Sequence, residues 1–175
     1  MDENEFFYLS DFEKDEVRRY QREESKGTVV VSGNGRGNRI DQLSGPYYLF
    51  VNSDHSVYIS DSENHRVIKW MEGEKQSIVV GGDQGKGNDL SQLLYPNGVI
   101  VDQLGTVYVS DGWNNRIIRW PKGATQASVI AGGNGQGRQS NQLNEPIGLP
   151  FERLGNLYVV DLGNHRVQKF NIVFS

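Results

Sequence analysis

The 175-residue sequence contains no cysteine, which excludes disulfide bonds and thiolate metal sites. No apolar run approaches the roughly 20 residues that a membrane-spanning helix needs. The first residues, Met1 to Glu5, are acidic, whereas a secretory signal begins basic and continues apolar. We therefore expect no signal peptide, no transmembrane segment and no membrane partner. The sequence does not indicate a compartment, so a cytoplasmic location is the default expectation.

The sequence also lacks an excess of positive charge. It holds 18 Lys and Arg residues against 22 Asp and Glu residues, which gives a net charge of −4 with histidine neutral. Residues 1–26 carry nine acidic and five basic side chains, and so account for the whole of this charge. A broad basic surface is the usual mark of a nucleic-acid-binding protein. The net charge therefore does not support RNA as the partner.

What the sequence does contain is a repeat of 50 residues that runs through the chain without a gap. A period of this length is typical of stacked supersecondary units. A residue that appears in every copy is more often structural than catalytic, because an active site is usually needed only once. The repeated elements are Tyr8-Leu-Ser-Asp11, Tyr58-Ile-Ser-Asp61, Tyr108-Val-Ser-Asp111 and Tyr158-Val-Val-Asp161, the glycine pairs Gly35/Gly37, Gly85/Gly87 and Gly135/Gly137, and Pro46, Pro96 and Pro146.

Each repeat is interpreted as four short β-strands, which we label a to d. In the third copy, strand a begins at Pro96, strand b covers residues 106–111, strand c 116–120 and strand d 127–131, with turn residues between them. Tandem four-stranded antiparallel units close most naturally as blades around an axis. We expect the large aromatic residues to pack between blades. These are Tyr8, Tyr58, Tyr108 and Tyr158 on strand b, and Tyr20, Trp70, Trp120 and Phe170 on strand c.

The predicted strands follow the order b-c-d, a-b-c-d, a-b-c-d, a-b-c. The predicted fold class is therefore all-β, a β-propeller of four-stranded blades with about 3.5–4 blades in a partial or open ring. Residues 1–175 then form a single propeller region, with a partial blade at 1–32, full blades at about 46–82 and 96–132, and a partial blade at 146–175. Neither end supplies the strand that the other lacks, so the open blade edges invite self-association.

A longer motif surrounds these strands. The third copy reads Pro96-Asn-Gly98-Val, then Asp102, Gly105-Thr-Val-Tyr108-Val-Ser-Asp111 and Asn115-Arg116-Ile; the fourth ends in Asn164-His165-Arg166-Val and the second in Asn64-His65-Arg66-Val. This pattern resembles the NHL repeat over nearly the whole chain. The resemblance implies an NHL-type propeller. NHL domains in tripartite-motif relatives are interaction modules, several of them binding RNA, and peptidylglycine-lyase relatives use a metal ion.

Two polar positions recur across the b–c hairpin. The Asp that ends strand b and the Arg that opens strand c are five residues apart, so they are expected to form a charge-assisted hydrogen bond. We interpret Asp61, Asp111 and Asp161, like Tyr58, Tyr108 and Tyr158, as structural. The b–c turns and the glycine loops emerge on the same face of a propeller, and loops on a rigid scaffold commonly bind partners. The candidate binding residues are therefore Asn64, His65, Arg66, Asn114, Asn115, Arg116, Asn164, His165 and Arg166.

The pattern favours a non-enzymatic interaction scaffold that binds a protein or another polymer through this face. We predict no catalytic residues, no cofactor and no metal site, and we expect a protein partner in preference to RNA. One alternative is a metal-dependent propeller lyase or hydrolase in which His65 and His165 take part. Another is an RNA-binding NHL domain of the tripartite-motif type, with Arg66, Arg116 and Arg166 in a basic row. A third is an inert remnant that binds nothing.

Overall fold

The computed structural model describes residues 6–32, 34–152 and 155–172. The acidic segment Met1 to Glu5, and Gly33 of the first glycine loop, lie outside the described residues. Within the described part the chain forms fourteen strands and three single turns of 3-10 helix. The strands are β1 (Phe7–Asp11), β2 (Glu16–Tyr20), β3 (Thr28–Ser32), β4 (Pro46–Val51), β5 (Val57–Asp61), β6 (Arg66–Trp70), β7 (Ile78–Gly82), β8 (Pro96–Val101), β9 (Val107–Asp111), β10 (Arg116–Trp120), β11 (Ser128–Gly132), β12 (Pro146–Gly148), β13 (Asn156–Asp161) and β14 (Arg166–Asn171).

The strands form four separate antiparallel sheets. Sheet orders are β1-β2-β3, β4-β5-β6-β7, β8-β9-β10-β11 and β12-β13-β14, and we call these sheets blades 1 to 4. Blades 2 and 3 are complete, whereas blade 1 has no inner strand a and blade 4 no outer strand d among the described residues. The predicted all-β fold class, a partial β-propeller of four-stranded blades, is confirmed.

The a–b turns show how local chemistry sets the hairpins. The Asp102 carboxylate accepts the backbone N–H groups of Leu104 and Thr106, at 2.9 Å each, and so fixes the turn between β8 and β9. Gly105 in this turn has a φ of 81°. His55 occupies the equivalent position in blade 2 and also has a positive φ, of 60°. Histidine tolerates this conformation better than branched residues do.

The hydrophobic core lies between consecutive blades. Between blades 2 and 3, Tyr58 and Val67 pack against Val109, Ile118 and Trp120. Similar clusters join blades 1 and 2 and blades 3 and 4. The predicted packing of strand-b tyrosines and strand-c aromatics is confirmed for Tyr58, Tyr108, Trp70 and Trp120, whereas Tyr20 and Tyr158 belong to none of these three clusters. Burying each such side chain contributes about 1.5–3 kcal/mol, so the blades depend on one another for stability.

In the described residues, no helix is long and apolar enough to cross a membrane. The helical segments there are the three 3-10 turns Ser62–Asn64, Gly112–Asn114 and Leu162–Asn164. Each of them forms the tip of a b–c hairpin, where a polar turn is predicted from the sequence.

Candidate binding face

The Asp–Arg pairs lie at the b–c hairpins, as predicted from their spacing. In blade 2 the Arg66 Nε donates to Asp61 Oδ2 at 2.7 Å, and both side chains are buried. Arg66 also donates to the backbone carbonyls of Asn38 and Arg39, at 2.9 Å each, and to that of Gln42 at 3.1 Å. The guanidinium thus binds one carboxylate and three carbonyls of the preceding glycine loop. The pair anchors this loop to the blade.

The aspartate completes the anchor from its other oxygen. Asp61 Oδ1 accepts the backbone N–H of Ser44 at 2.7 Å, just before strand a of the same blade. Asn64 donates both to Asp61 Oδ2, at 2.8 Å, and to the carbonyl of Gly37, at 2.9 Å. Both carboxylate oxygens of Asp61 and all three guanidinium nitrogens of Arg66 therefore have partners, which is the condition under which buried charges are tolerated.

The same anchor is built in blades 3 and 4. Arg116 contacts Asp111, and Arg166 contacts Asp161, with an Nε–Oδ2 distance of 2.7 Å in both. Asn114 and Asn164 donate to the loop carbonyls of Gly87 and Gly137, at 2.8 and 2.7 Å. The anchor of blade 4 is less enclosed, because the Arg166 side chain keeps 29% of its surface exposed against 2% for Arg66.

The direction in which the pKa of each aspartate shifts depends on how far its anchor is enclosed. In blades 2 and 3 burial is the largest influence and raises the pKa of Asp61 and Asp111, although the hydrogen bonds from Asn64 and Asn114 and the nearby arginines act in the opposite direction. Burial also acts on Asp161, but there the hydrogen bonds from Asn164 and Arg166 outweigh it, so its pKa is lowered. All three carboxylates accept hydrogen bonds from the arginine and asparagine of their own anchor.

Blade 1 departs from this plan. Asp11 at the end of β1 forms its ion pair with Lys14, with an Nζ–Oδ2 distance of 2.8 Å, because Glu16 stands where the other blades have arginine. Glu16 in turn accepts from Arg18 Nε at 2.6 Å. The hairpin of blade 1 is therefore held by local pairs that do not reach a glycine loop.

The residue before the arginine has a function of its own, which is to link neighbouring blades. His65 Nδ1 accepts the backbone N–H of Tyr95 at 3.2 Å, and Asn115 Oδ1 accepts that of Glu145 at 2.9 Å. In blade 1, Asp15 Oδ1 accepts the N–H of Gly45 at 2.7 Å. In each case the acceptor lies 30 residues before the donor, which stands just ahead of strand a of the next blade. The side chain at this position joins two blades across the face.

These linking residues share one backbone conformation. Asp15, His65 and Asn115 have a φ between 51° and 55°, in the left-handed region, and so does His165 at the equivalent position of blade 4. Aspartate, asparagine and histidine are the non-glycine residues most often found there. For His65, burial and then the nearby Lys86 ammonium lower the pKa, which keeps the imidazole neutral and able to accept the Tyr95 N–H.

All nine predicted binding residues thus lie on the predicted face, but most of their polar atoms are engaged inside the protein. Arg66 and Arg116 are buried beneath the glycine loops, so they do not form an exposed basic row. Lys69, a further basic residue on strand c of blade 2, lies 3.6 Å from the Asp54 carboxylate. The surface that a partner can touch on this face consists of other side chains.

Exposed aromatic residues provide that surface. At the junction of blades 1 and 2, Phe12 and Tyr47 are each about half exposed and meet edge to face, with ring centroids 6.4 Å apart. At the junction of blades 2 and 3, Trp113 is 61% exposed and lies 4.5 Å, ring to ring, from Tyr95. Tyr95 in turn contacts the His65 ring at 4.7 Å. We call this set of five residues the aromatic surface.

The sequence analysis missed most of the aromatic surface because its members do not repeat. Trp113 corresponds to Glu13, Glu63 and Gly163 in the other copies, and Phe12 to Ser62, Gly112 and Leu162. The signal that would have found Trp113 is a large apolar residue at a turn position where the other copies are small or polar. Such single departures from a repeat are candidates for function, because the scaffold does not require them.

The opposite face carries a groove between blades 2 and 3 with a volume of about 920 Å³. Some of its charged groups contact neighbouring side chains: Asp102 accepts from the Tyr108 hydroxyl at 3.1 Å, and Lys69 is close to Asp54. Burial and the Asp102 carboxylate raise the pKa of Tyr108 to about 12, so this phenol stays protonated and serves as a hydrogen-bond donor. The lining also includes Lys122 and the polar residues Asn52, Ser53 and Gln103.

No group of three or more His, Cys, Asp or Glu side chains in the described residues is arranged to hold a metal ion. His65 and His165, the two histidines considered in the metal-dependent alternative, lie two blades apart at equivalent positions. The Nδ1 atom of His65 is already bound to Tyr95.

Comparison with protein families gives an NHL-repeat match at residues 93–120 and 143–170. These two ranges cover strands a, b and c of blades 3 and 4. No curated protein sequence matches the chain as a relative.

Solved structures are similar in fold. A protein of unknown function from Bacteroides thetaiotaomicron superposes with a TM-score of 0.76 at 21% identity, over 97% of this chain and 45% of its own. A nidogen/laminin complex gives a TM-score of 0.72 at 22% identity, over 97% and 57%. An auxiliary nutrient binding protein from B. thetaiotaomicron gives 0.72 at 17%, over 95% and 45%. The chain thus spans about half the length of these structures.

Proposed function

We propose that this chain, which is an NHL-repeat β-propeller protein, is a non-enzymatic interaction scaffold that binds a protein partner through its aromatic surface. The observation that carries the proposal is the exposure of Trp113 beside Tyr95 and His65, on the face where the loops are anchored by buried Asp–Arg pairs. Exposed aromatic clusters on a rigid frame are typical of sites that bind protein chains.

The rigidity of the loops supports this proposal. Arg66 and Arg116 each hold three backbone carbonyls of a glycine loop, so the face is ordered before a partner arrives. Preorganisation lowers the entropy that binding must overcome. The comparisons agree in kind, since the neighbours include a protein–protein complex and a nutrient binding protein.

The chemistry of the surface favours an extended peptide segment with apolar or aromatic side chains. Phe12, Tyr47, Tyr95 and Trp113 offer ring faces and edges, and Glu63 and Arg36 supply a charged pair between them. Such a surface lacks the row of free basic groups that an RNA backbone requires. A protein partner therefore fits better than RNA.

The test uses a library of random displayed peptides selected on the immobilised protein. Peptides that bind the unchanged protein are then measured against Trp113→Ala and against Leu104→Ala, a matched control because Leu104 is a largely exposed apolar residue on the opposite face. Loss of an interface Trp commonly costs about 2 kcal/mol or more. We expect affinity to fall at least tenfold for Trp113→Ala and to stay unchanged for Leu104→Ala.

The reverse pattern, in which Leu104→Ala lowers the affinity for the peptides and Trp113→Ala leaves it unchanged, would refute the proposed binding face. The enzymatic alternative is tested on the same preparation with lactone and phosphate ester substrates, with and without zinc and calcium. Metal-dependent turnover that disappears in His65→Ala would favour an enzyme instead.

A further inference from the structure

The first and last blades expose apolar positions that are buried everywhere else in the repeat. On strand c, Val17, Val67 and Ile117 are 0% exposed, whereas Val167 at the same position of blade 4 is 61% exposed. On strand b, Ile59, Val109 and Val159 are 0% exposed, whereas Leu9 of blade 1 is 57% exposed. Among the residues that the structure describes, blades 1 and 4 therefore each have one uncovered face, which we call the start face (around Phe7 and Leu9) and the end face (around Val167).

The three junctions within the chain show what covers each kind of face. Val17 of blade 1 lies in one cluster with Val57 and Ile59 of blade 2, and Val67 of blade 2 with Val107 and Val109 of blade 3. Ile117 of blade 3 lies with Leu157 and Val159 of blade 4. At each of these three junctions, the strand-c residue equivalent to Val167 is thus covered by two apolar strand-b residues of the next blade. On blade 1 those two positions are Phe7 and Leu9, both exposed.

We propose that two copies of this chain associate head to tail, so that the end face of each copy packs on the start face of the other. Val167 of one copy then lies against Phe7 and Leu9 of the second copy, as Val67 lies against Val107 and Val109. The two contacts are equivalent and close a ring of eight blades, a number within the range of about four to eight that propellers form. Identical contacts of this kind close into a ring when the rotation between copies allows it.

Two further observations favour a second copy as the occupant. The chain superposes on 45–57% of the length of its structural neighbours, so two copies together match their length. The two ends also carry opposite charge: residues 1–26 have nine acidic and five basic side chains, whereas residues 146–175 have two acidic and three basic ones. Opposite charge favours pairing of start with end over pairing of start with start.

Light scattering after gel filtration tests the proposal on the unchanged chain. We expect a mass of twice the chain mass of 19.7 kDa, independent of concentration over the micromolar range. A mass of one chain would overturn the proposal, and a mass that grows beyond two chains with concentration would overturn the closed ring.

Variants separate a head-to-tail contact from any other. Leu9→Lys and Val167→Lys change side chains that are exposed in the single chain, so each variant is expected to fold and to be monomeric. Mixed in equal amounts, they regain a two-chain species, because the intact end face of one variant meets the intact start face of the other. Ile78→Lys, on the outer edge of blade 2, is the control and keeps the unchanged mass. Pairing that survives in Leu9→Lys alone, or no pairing in the mixture, contradicts the head-to-tail contact.

Discussion

The buried Arg66–Asp61 pair gives the most demanding prediction about stability. Replacing Arg66 by alanine leaves the Asp61 carboxylate enclosed without its counter-ion and removes donors from three loop carbonyls. Breaking a buried ion pair from one side costs about 3–5 kcal/mol. For a domain of this size, about 2–4 °C is lost per kcal/mol, so we expect the melting temperature to fall by roughly 6–20 °C.

The fourth blade supplies a matched control. Arg166 makes the same bonds, to Asp161 and to the carbonyls of Arg138, Gln139 and Gln142, but its side chain is 29% exposed against 2% for Arg66. Water can solvate Asp161 when Arg166→Ala removes the guanidinium, so the expected loss is about 1.5–3 kcal/mol. Urea unfolding of both variants measures the difference. Equal losses in the two variants, or a loss under about 1 kcal/mol for Arg66→Ala, would refute the reasoning from burial.

Two other predictions concern the blade junction at His65. Its lowered pKa means that the unfolded chain binds a proton more readily than the folded one, so stability is complete above the ordinary value of about 6.5 and falls as pH drops from there through the folded-state pKa. His65→Asn, which copies Asn115, should remove this component from melting temperatures recorded between pH 7.5 and 5; an unchanged pH profile would contradict it. A side chain at Gly82 would clash with the His65 carbonyl oxygen and approach Leu93 Cδ1 to 2.9 Å, whereas one at Gly85 meets nothing within 4 Å. Since both glycines have a positive φ, Gly85→Ala should cost about 1 kcal/mol and Gly82→Ala clearly more, measured by urea unfolding; similar losses would show that the clash relaxes freely.

Much of the fold is predictable from the repeat because local rules and spacing agree. The period of 50 residues, the turn residues and the β-rich runs are enough to give the strand order from β1 to β14. The Asp61–Arg66 contact also follows from sequence, since residues that end and open two paired strands stand opposite each other. What the spacing does not show is that Arg66 continues into the preceding loop, because that depends on how the loop folds back over the hairpin.

The links between blades were not predicted. The contact from His65 to Tyr95 spans 30 residues and exists only because two blades dock side by side. The same holds for Asp15, which departs from the His or Asn of the other copies but accepts the Gly45 N–H in the same way. The aromatic surface was missed for the opposite reason: a search for repeated residues passes over Trp113, because no other copy has an aromatic residue at its position.

The tryptophans offer the most direct test of the binding face. Trp70 and Trp120 are buried between blades and Trp113 is exposed, so the three indole N–H groups report on different places. We would record the indole resonances by NMR while adding a peptide selected on the unchanged protein. We predict that the Trp113 resonance shifts with the peptide while those of Trp70 and Trp120 stay in place. Saturable binding that leaves the Trp113 resonance unmoved would show that the peptide binds elsewhere on the protein.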